Sequence, residues 1–332
     1  MSNSFSVEML QRSQQTNVEN GEKNKEFEDM KDGNGFTWET NADKREKKEN
    51  SLWYWNFWLG LFHLLQAIIV LALGLRTESN AGKFKLPLTT LYLDWQTGFP
   101  TQKLVQEGEL PFVAVTSGFA WMSAVAHIGI LLVFRKYYIP GLRRGINRFR
   151  WIEYSASSSL MIGLMAMLFG MYDIISLVLI MSINACMNFF GYLMETSNVG
   201  MIKVDWTPFN FGAFAGAVPW CCIFAYIGGS SSGANNVPNF VYGILIAYLI
   251  MFNIFPINMV LQYAKIGWWS DKYWGYQKGG YYFGEICYQI LSLVAKTLLL
   301  WLVYGGSNQP NSYSGRTTGS ALEVPSMSPT SM

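Results

Sequence analysis

The residue whose chemistry sets the terms is Lys296, inside the apolar stretch Tyr288-Gln-Ile-Leu-Ser-Leu-Val-Ala-Lys-Thr-Leu-Leu-Leu-Trp-Leu-Val-Tyr304. With Phe283 to Cys287 ahead of it, this stretch is long enough to cross a bilayer. A lysine at that depth costs roughly 2.5–3.5 kcal/mol on insertion scales, which marks a functional position by default. The bland account is a lysine that snorkels to the headgroups. Its position speaks against this: it lies about 8 residues, or roughly 12 Å, from the helix end and leans back toward the helix N-terminus, deeper into the membrane. Two readings stay open: pairing with a buried carboxylate, or covalent conversion, most simply to a Schiff base with an aldehyde.

A carboxylate to meet it stands in Arg148-Phe-Arg-Trp-Ile-Glu153-Tyr-Ser-Ala-Ser157-Ser-Ser. Ser157 is one turn beyond Glu153 on the same face and can reach the carboxylate or whatever it pairs with. A third helix starting near Arg143 puts Glu153 roughly 15 Å from the helix end. A seventh starting near Gly280 puts the Lys296 backbone roughly 24 Å in, with the side chain leaning back, so the charges meet at similar depth. Ser292, one turn before Lys296, can bond the same nitrogen. Such a pair lets a buried protonated nitrogen persist at neutral pH. A purely structural ion pair is the competing account.

The only two histidines, His63 and His127, also fall inside expected spans, with Gln66 almost one turn after His63. Both are buried polar groups that require partners or water, and we read them as lining one water-filled cavity with Glu153. With no carboxylate beside them in sequence they make a weak metal site, and no metal is assigned. Asn184, Asn188, Asn258 and Gln262 are further intramembrane amides, whose default role is to join helices.

These side chains must be positioned by membrane helices. Of the 332 residues 51% are apolar and only 14% charged, which points to a polytopic membrane protein. The net charge of +2 gives no indication of nucleic-acid binding. Cys186, Cys221, Cys222 and Cys287 all lie in apolar runs and imply neither a disulfide framework nor a metal site. No secretory signal precedes Leu52, so the first span is expected to act as its own targeting signal.

Residues 1–50 read as a disordered mixed-charge tail and residues 306–332 as a disordered Ser/Pro/Thr-rich one, leaving residues 51–305 as the folded domain. The spans expected there are Trp53 to Leu75, Pro111 to Phe134, a third ending near Met171, Ile174 to Glu195, Pro208 to Ile227, Phe240 to Tyr263, and the one around Lys296. Gly212-Ala-Phe-Ala-Gly216 permits close helix contact, and Pro256 marks a kink. Gly228 to Asn239 reads as a loop. Between the first two spans, Leu88 to Trp95 has strand-like composition and Gly108 reads as a turn residue, giving a small hairpin that caps the bundle. The fold class is therefore an all-α membrane protein: a seven-transmembrane helix bundle with a short extracellular β-hairpin in the first loop. Lysines and arginines concentrate in the loops on the N-terminal side, which places the N-terminus in the cytoplasm and the C-terminus outside.

Taken together, Ser292-Leu-Val-Ala-Lys296, Arg150-Trp-Ile-Glu153-Tyr-Ser, His63-Leu-Leu-Gln66, His127 and Asn258-Met-Val-Leu-Gln-Tyr263 are similar to the heliorhodopsins in order, depth and spacing. The resemblance covers about residues 51–305 and leaves the tails unmatched. It implies all-trans retinal on Lys296 as a protonated Schiff base, Glu153 as counterion, and Ser157 and Ser292 hydrogen-bonding around the nitrogen. His63, His127 and Gln66 would belong to a linked polar cavity with a proton-accepting role open. Asn184, Gln262 and Met259 would be retinal-pocket positions. It also implies a homodimer in membrane lipid, a slow photocycle, and a receptor with a signalling partner rather than an enzyme.

An outward proton pump generally needs a second carboxylate further along the third helix, and Gly163 to Met171 holds no acid. Glu195 and Glu285, near the ends of the fourth and seventh helices, could form a proton inlet or outlet, although solvation is the expected state of carboxylates at helix ends. Three classes of function follow: a photoreceptor, a light-gated proton channel with the same chromophore, and a chromophore-free transporter in which Lys296 and Glu153 simply pair.

Overall fold

The computed structural model describes residues 41–95, 98–231 and 239–308. The expected tails lie mostly outside the described residues, but residues 41–50 are helical and open the first span. Among the described residues seven long helices follow one another: α1 (Asn41–Gly74), α2 (Phe112–Arg144), α3 (Arg148–Leu168), α4 (Ile174–Ser197), α5 (Thr207–Ser231), α6 (Asn239–Ala264) and α7 (Gly279–Ser307). Among the described residues, six are long and apolar enough to cross a membrane by length and composition. The exception is α3, whose first half carries Arg148, Arg150, Glu153 and a run of serines. Its polar face is buried among its neighbours. The helices turn large apolar side chains outward instead, Phe214 (74% exposed) and Leu179 (65%) among them, as a bilayer allows and water would not.

Element ends differ from expectation where a local signal outweighed the apolar pattern. The second span does not stop at Phe134: it passes through a wide π turn, Ile130–Phe134, and continues to Arg144. Gly145 then takes the left-handed conformation (φ 81°) that closes the helix, and Asn147 caps α3 by accepting the Arg150 amide at 3.2 Å. Arg143 and Arg144 thus end α2, and α3 begins at Arg148 rather than near Arg143. Asp173 caps α4, accepting the backbone N–H of Ser176 at 2.8 Å and its hydroxyl at 2.7 Å. Residues 228–231, read as loop, belong to α5, and residues 232–238 lie outside the described residues.

The hairpin is present, with β1 (Lys85–Asp94) antiparallel to β2 (Thr101–Pro111). Gly108, expected in a turn before the second span, is not in a turn. It sits in β2 opposite Leu88, beside a bulge where Glu107 is extra. The bulge has a use, since Glu107 there accepts the Thr90 hydroxyl at 2.6 Å. The hairpin docks on the bundle through the Thr89 amide, which donates to the Tyr172 carbonyl in the α3–α4 turn at 2.9 Å.

Inside, the bundle has two characters. Toward the hairpin the core is apolar, built from Val70, Phe119, Ile162, Met165, Leu168, Leu299 and their neighbours. Toward the loops on the N-terminal side it is aromatic and polar. Helices α3 and α4 approach closely at Gly191, where a Cβ would stand 2.2 Å from the Trp151 ring. Gly212 and Gly216 face Met187 and Phe190 of α4, the close contact expected of their spacing.

Candidate retinal site

Lys296 is buried (4% exposed), as expected of a lysine that does not snorkel. Its Nζ donates to Glu153 Oε1 at 2.5 Å, to Ser123 Oγ at 2.6 Å and to Ser292 Oγ at 3.0 Å. Ser123 Oγ in turn lies 2.7 Å from Glu153 Oε1. Three helices therefore converge on one nitrogen: α7 with Lys296 and Ser292, α3 with Glu153, α2 with Ser123. The Tyr154 ring stands 5.4 Å from the nitrogen, adding a π face to the charge-stabilising shell.

The meeting of the two charges has a different basis from the expected one. Because α3 begins at Arg148, Glu153 is only about 8 Å along its helix, not 15 Å. The Asn147 cap of α3 is itself buried, and Glu285, six residues into α7, already lies against Asn147 and Arg150. The third helix thus starts inside the bundle, and α7 runs beside it with a head start.

Ser157 departs from expectation. It is fully buried, but its hydroxyl makes no hydrogen bond among the described residues. The Glu153 carboxylate reaches across to α2, and Ser123 takes the place assigned to Ser157. The two histidine rings stack with centroids 5.8 Å apart and planes within 3°. His127 Nδ1 pairs with Asn56 Oδ1 at 2.8 Å, whereas His63 Nε2 has no hydrogen-bond partner among the described residues. A small cavity of about 30 Å³, enough for one or two waters, touches His127, Glu153 and Ser292. His63 is behind His127 and does not line it. Gln66 instead ties α1 to α7, its amide donating to Thr297 Oγ1 at 3.1 Å.

On the other side of Lys296 opens a larger chamber, about 470 Å³, within the range of small-molecule sites. Trp151, Tyr154, Met161, Trp220, Phe252, Phe255, Met259 and Tyr288 form most of its wall. Cys221, Phe224 and Asn253 line it while remaining exposed, so it opens sideways between α5 and α6. An apolar, elongated molecule with an aldehyde at one end fits this donor set: aromatic walls along its length and a single amine at the inner end. Met259 lines the chamber, whereas Asn184 and Gln262 do not. Asn184 donates to Ser158 and Ser159 at 2.8 and 3.2 Å, and Gln262 packs on Gly284. Beyond Lys296 and Ser292, the polar lining comes from Asn188, Ser158 and Asn253 instead.

Glu195 and Glu285 are not solvated. Both are buried, and each accepts one terminal nitrogen of Arg150. Helix-end position misled here because the Asn147 cap and the aromatic layer of Tyr138, Tyr276, Tyr281 and Tyr282 close over that end.

Sequence reasoning missed Ser123, Asn56 and the role of Arg150. Ser123 and His127 are four residues apart on one face, a signal present in the sequence. Asn56 was readable only as one polar residue among the interfacial aromatics. The heliorhodopsin family model matches residues 52–307. No curated protein matches the chain significantly.

Proposed function

The chain belongs to the heliorhodopsin family of light-sensing, retinal-binding membrane proteins, and from that premise we propose that Lys296 carries all-trans retinal as a protonated Schiff base with Glu153 as counterion. The observation that carries this reading is the Lys296 nitrogen, 2.5 Å from Glu153 Oε1 and at the inner wall of the 470 Å³ chamber. The bound chromophore supplies visible absorption and a light-driven isomerisation. The chain supplies everything else. Glu153 holds the positive charge on the nitrogen, and Ser123 and Ser292 fill its remaining hydrogen-bond positions. Trp151, Tyr154 and Tyr288 keep water off the reacting end, so these contacts act at low dielectric.

A sensor with slow recovery is the reading we favour over a pump. Beyond Glu153 toward the hairpin, α3 contributes Met161, Ile162, Leu164, Met165 and Leu168 to an apolar core. That layer offers no acid to hand a proton onward, which supports signalling through a partner, as a homodimer in lipid with a cytoplasmic N-terminus. The small cavity joining Glu153 to Arg150 and Glu285 favours a second reading, a light-gated proton conductance through the same groups. Purified protein given retinal should show a visible band that Lys296→Ala abolishes. A colourless wild type would leave only the ion-pair transporter.

A further inference from the structure

One buried cluster has no part in holding the chromophore. Glu195 on α4 and Glu285 on α7 each accept one terminal nitrogen of the Arg150 guanidinium on α3, and all three are buried. Counted as charge, two carboxylates face one cation. The other partners are neutral. Glu195 Oε2 accepts the Asn147 backbone N–H at 2.8 Å and the Trp151 indole N–H at 2.7 Å, and Glu285 Oε2 accepts the Asn147 amide at 2.7 Å. Around them stand uncharged phenols. Tyr288 lies with its ring 3.9 Å from the guanidinium, and Tyr138 shares the small cavity with Arg150 and Glu285. Tyr263 bonds the Met194 carbonyl next to Glu195, and Tyr281 is within electrostatic reach of both acids. Among the described residues, Lys278 is a further cation within electrostatic reach of Glu195, but it makes no ion pair with it and directs its ammonium at the Arg144 carbonyl, 3.5 Å away. Fully ionised, the cluster buries two carboxylates against a single hydrogen-bonded cation, a state that burial strongly disfavours. Two carboxylates sharing one site relieve that by retaining a proton between them.

We propose that Glu195, Arg150 and Glu285 form a proton-storage site, holding one exchangeable proton on the carboxylate pair in the resting protein and trading it with the Glu153 side of the molecule. The connection is the cavity of about 30 Å³, which touches Asn147, Arg150 and Glu285 at one end and Glu153, His127 and Ser292 at the other. On release, the O–H bond of one carboxylic acid breaks and its electron pair stays on the oxygen, held by Arg150. The proton passes to cavity water and on to an acceptor, either the Glu153 carboxylate or the medium on the N-terminal side. Return is the reverse. The trigger, a change of charge at Lys296 and Glu153, rests on the retinal reading; the storage does not.

Infrared spectroscopy of the full chain without retinal tests storage first. A deuterium-sensitive carboxylic-acid C=O band is expected in the wild type and should vanish in both Glu195→Gln and Glu285→Gln, since either leaves one carboxylate for one guanidinium. No such band in the wild type, or its loss in only one variant, overturns the proposal. Should the glutamine variants not fold, Trp151→Phe removes a donor to Glu195 and should shift the band's frequency; an unmoved band overturns it equally. With retinal bound, light-minus-dark spectra should show the same band shifting, and a light-silent band would sever the cluster from Glu153. Because the first measurement needs no chromophore, its failure is distinct from failure of the pigment reading.

Discussion

Ser123 stands on α2 and Ser157 on α3, one turn beyond Glu153, yet only one of them touches the charged pair. Ser123 accepts from Lys296 and lies 2.7 Å from Glu153, while Ser157 has no hydrogen-bond partner among the described residues. Three substitutions therefore separate. Glu153→Gln, with retinal bound, should shift the band to the red and let it bleach at a pH lower by roughly 1–3 units, because the cation loses the charge that stabilises it. Ser123→Ala should act in the same direction but more weakly, by about one hydrogen bond to a charged group, roughly 1.5–3 kcal/mol or less. Ser157→Ala should leave colour and titration nearly unchanged. A titration of the visible band in the three variants checks this ordering. At this scale Lys296, Glu153 and Ser292 were legible in the sequence, because ionisable groups in apolar runs are few and the i,i+4 spacing fixes which can meet. The choice between Ser123 and Ser157 was not, since it depends on how far α2 lies from α3.

Among the elements, α3 is positioned by what it packs against rather than by its own hydropathy. Its start was misread because the arginines after Phe134 look like the beginning of a new helix. The left-handed turn at Gly145 and the cap at Asn147 set the boundary instead. The five-residue difference matters, because it lowers the whole polar half of α3 into the bundle. There α4 holds it by close approach: Gly191 leaves room for the Trp151 ring, and Trp151 donates to Glu195. Gly191→Ala would put a methyl group where the ring now lies. We expect it to cost roughly 1–3 kcal/mol, the usual range for overpacking a core. Thermal bleaching of the reconstituted pigment is the measurement, and an unchanged midpoint would show that the ring moves aside freely. Spans and hairpin were legible from apolar runs and strand composition. The Gly108 turn was not, because a bulge residue and a turn residue look alike until the partner strand is known.

In the molecule as a whole, polar groups gather on one side of Lys296 and apolar ones on the other. The side chamber and the small cavity were beyond the sequence, since both are spaces between helices distant in the chain. The asymmetry bears on sensor against channel. Under voltage clamp with retinal, light should give no steady current, because the apolar layer of α3 and its neighbours interrupts any water path toward the hairpin. A sustained current reversing at the proton potential would replace the sensor with the conductance. The same layer determines where a transmembrane voltage is felt. Hydrated, polarisable groups sustain little electric field, whereas hydrocarbon sustains much, so most of the potential drops between the Lys296 nitrogen and the hairpin. The pigment then sits close to the electrical potential of the compartment facing the N-terminus, and its colour should scarcely register the charging state of the membrane it inhabits.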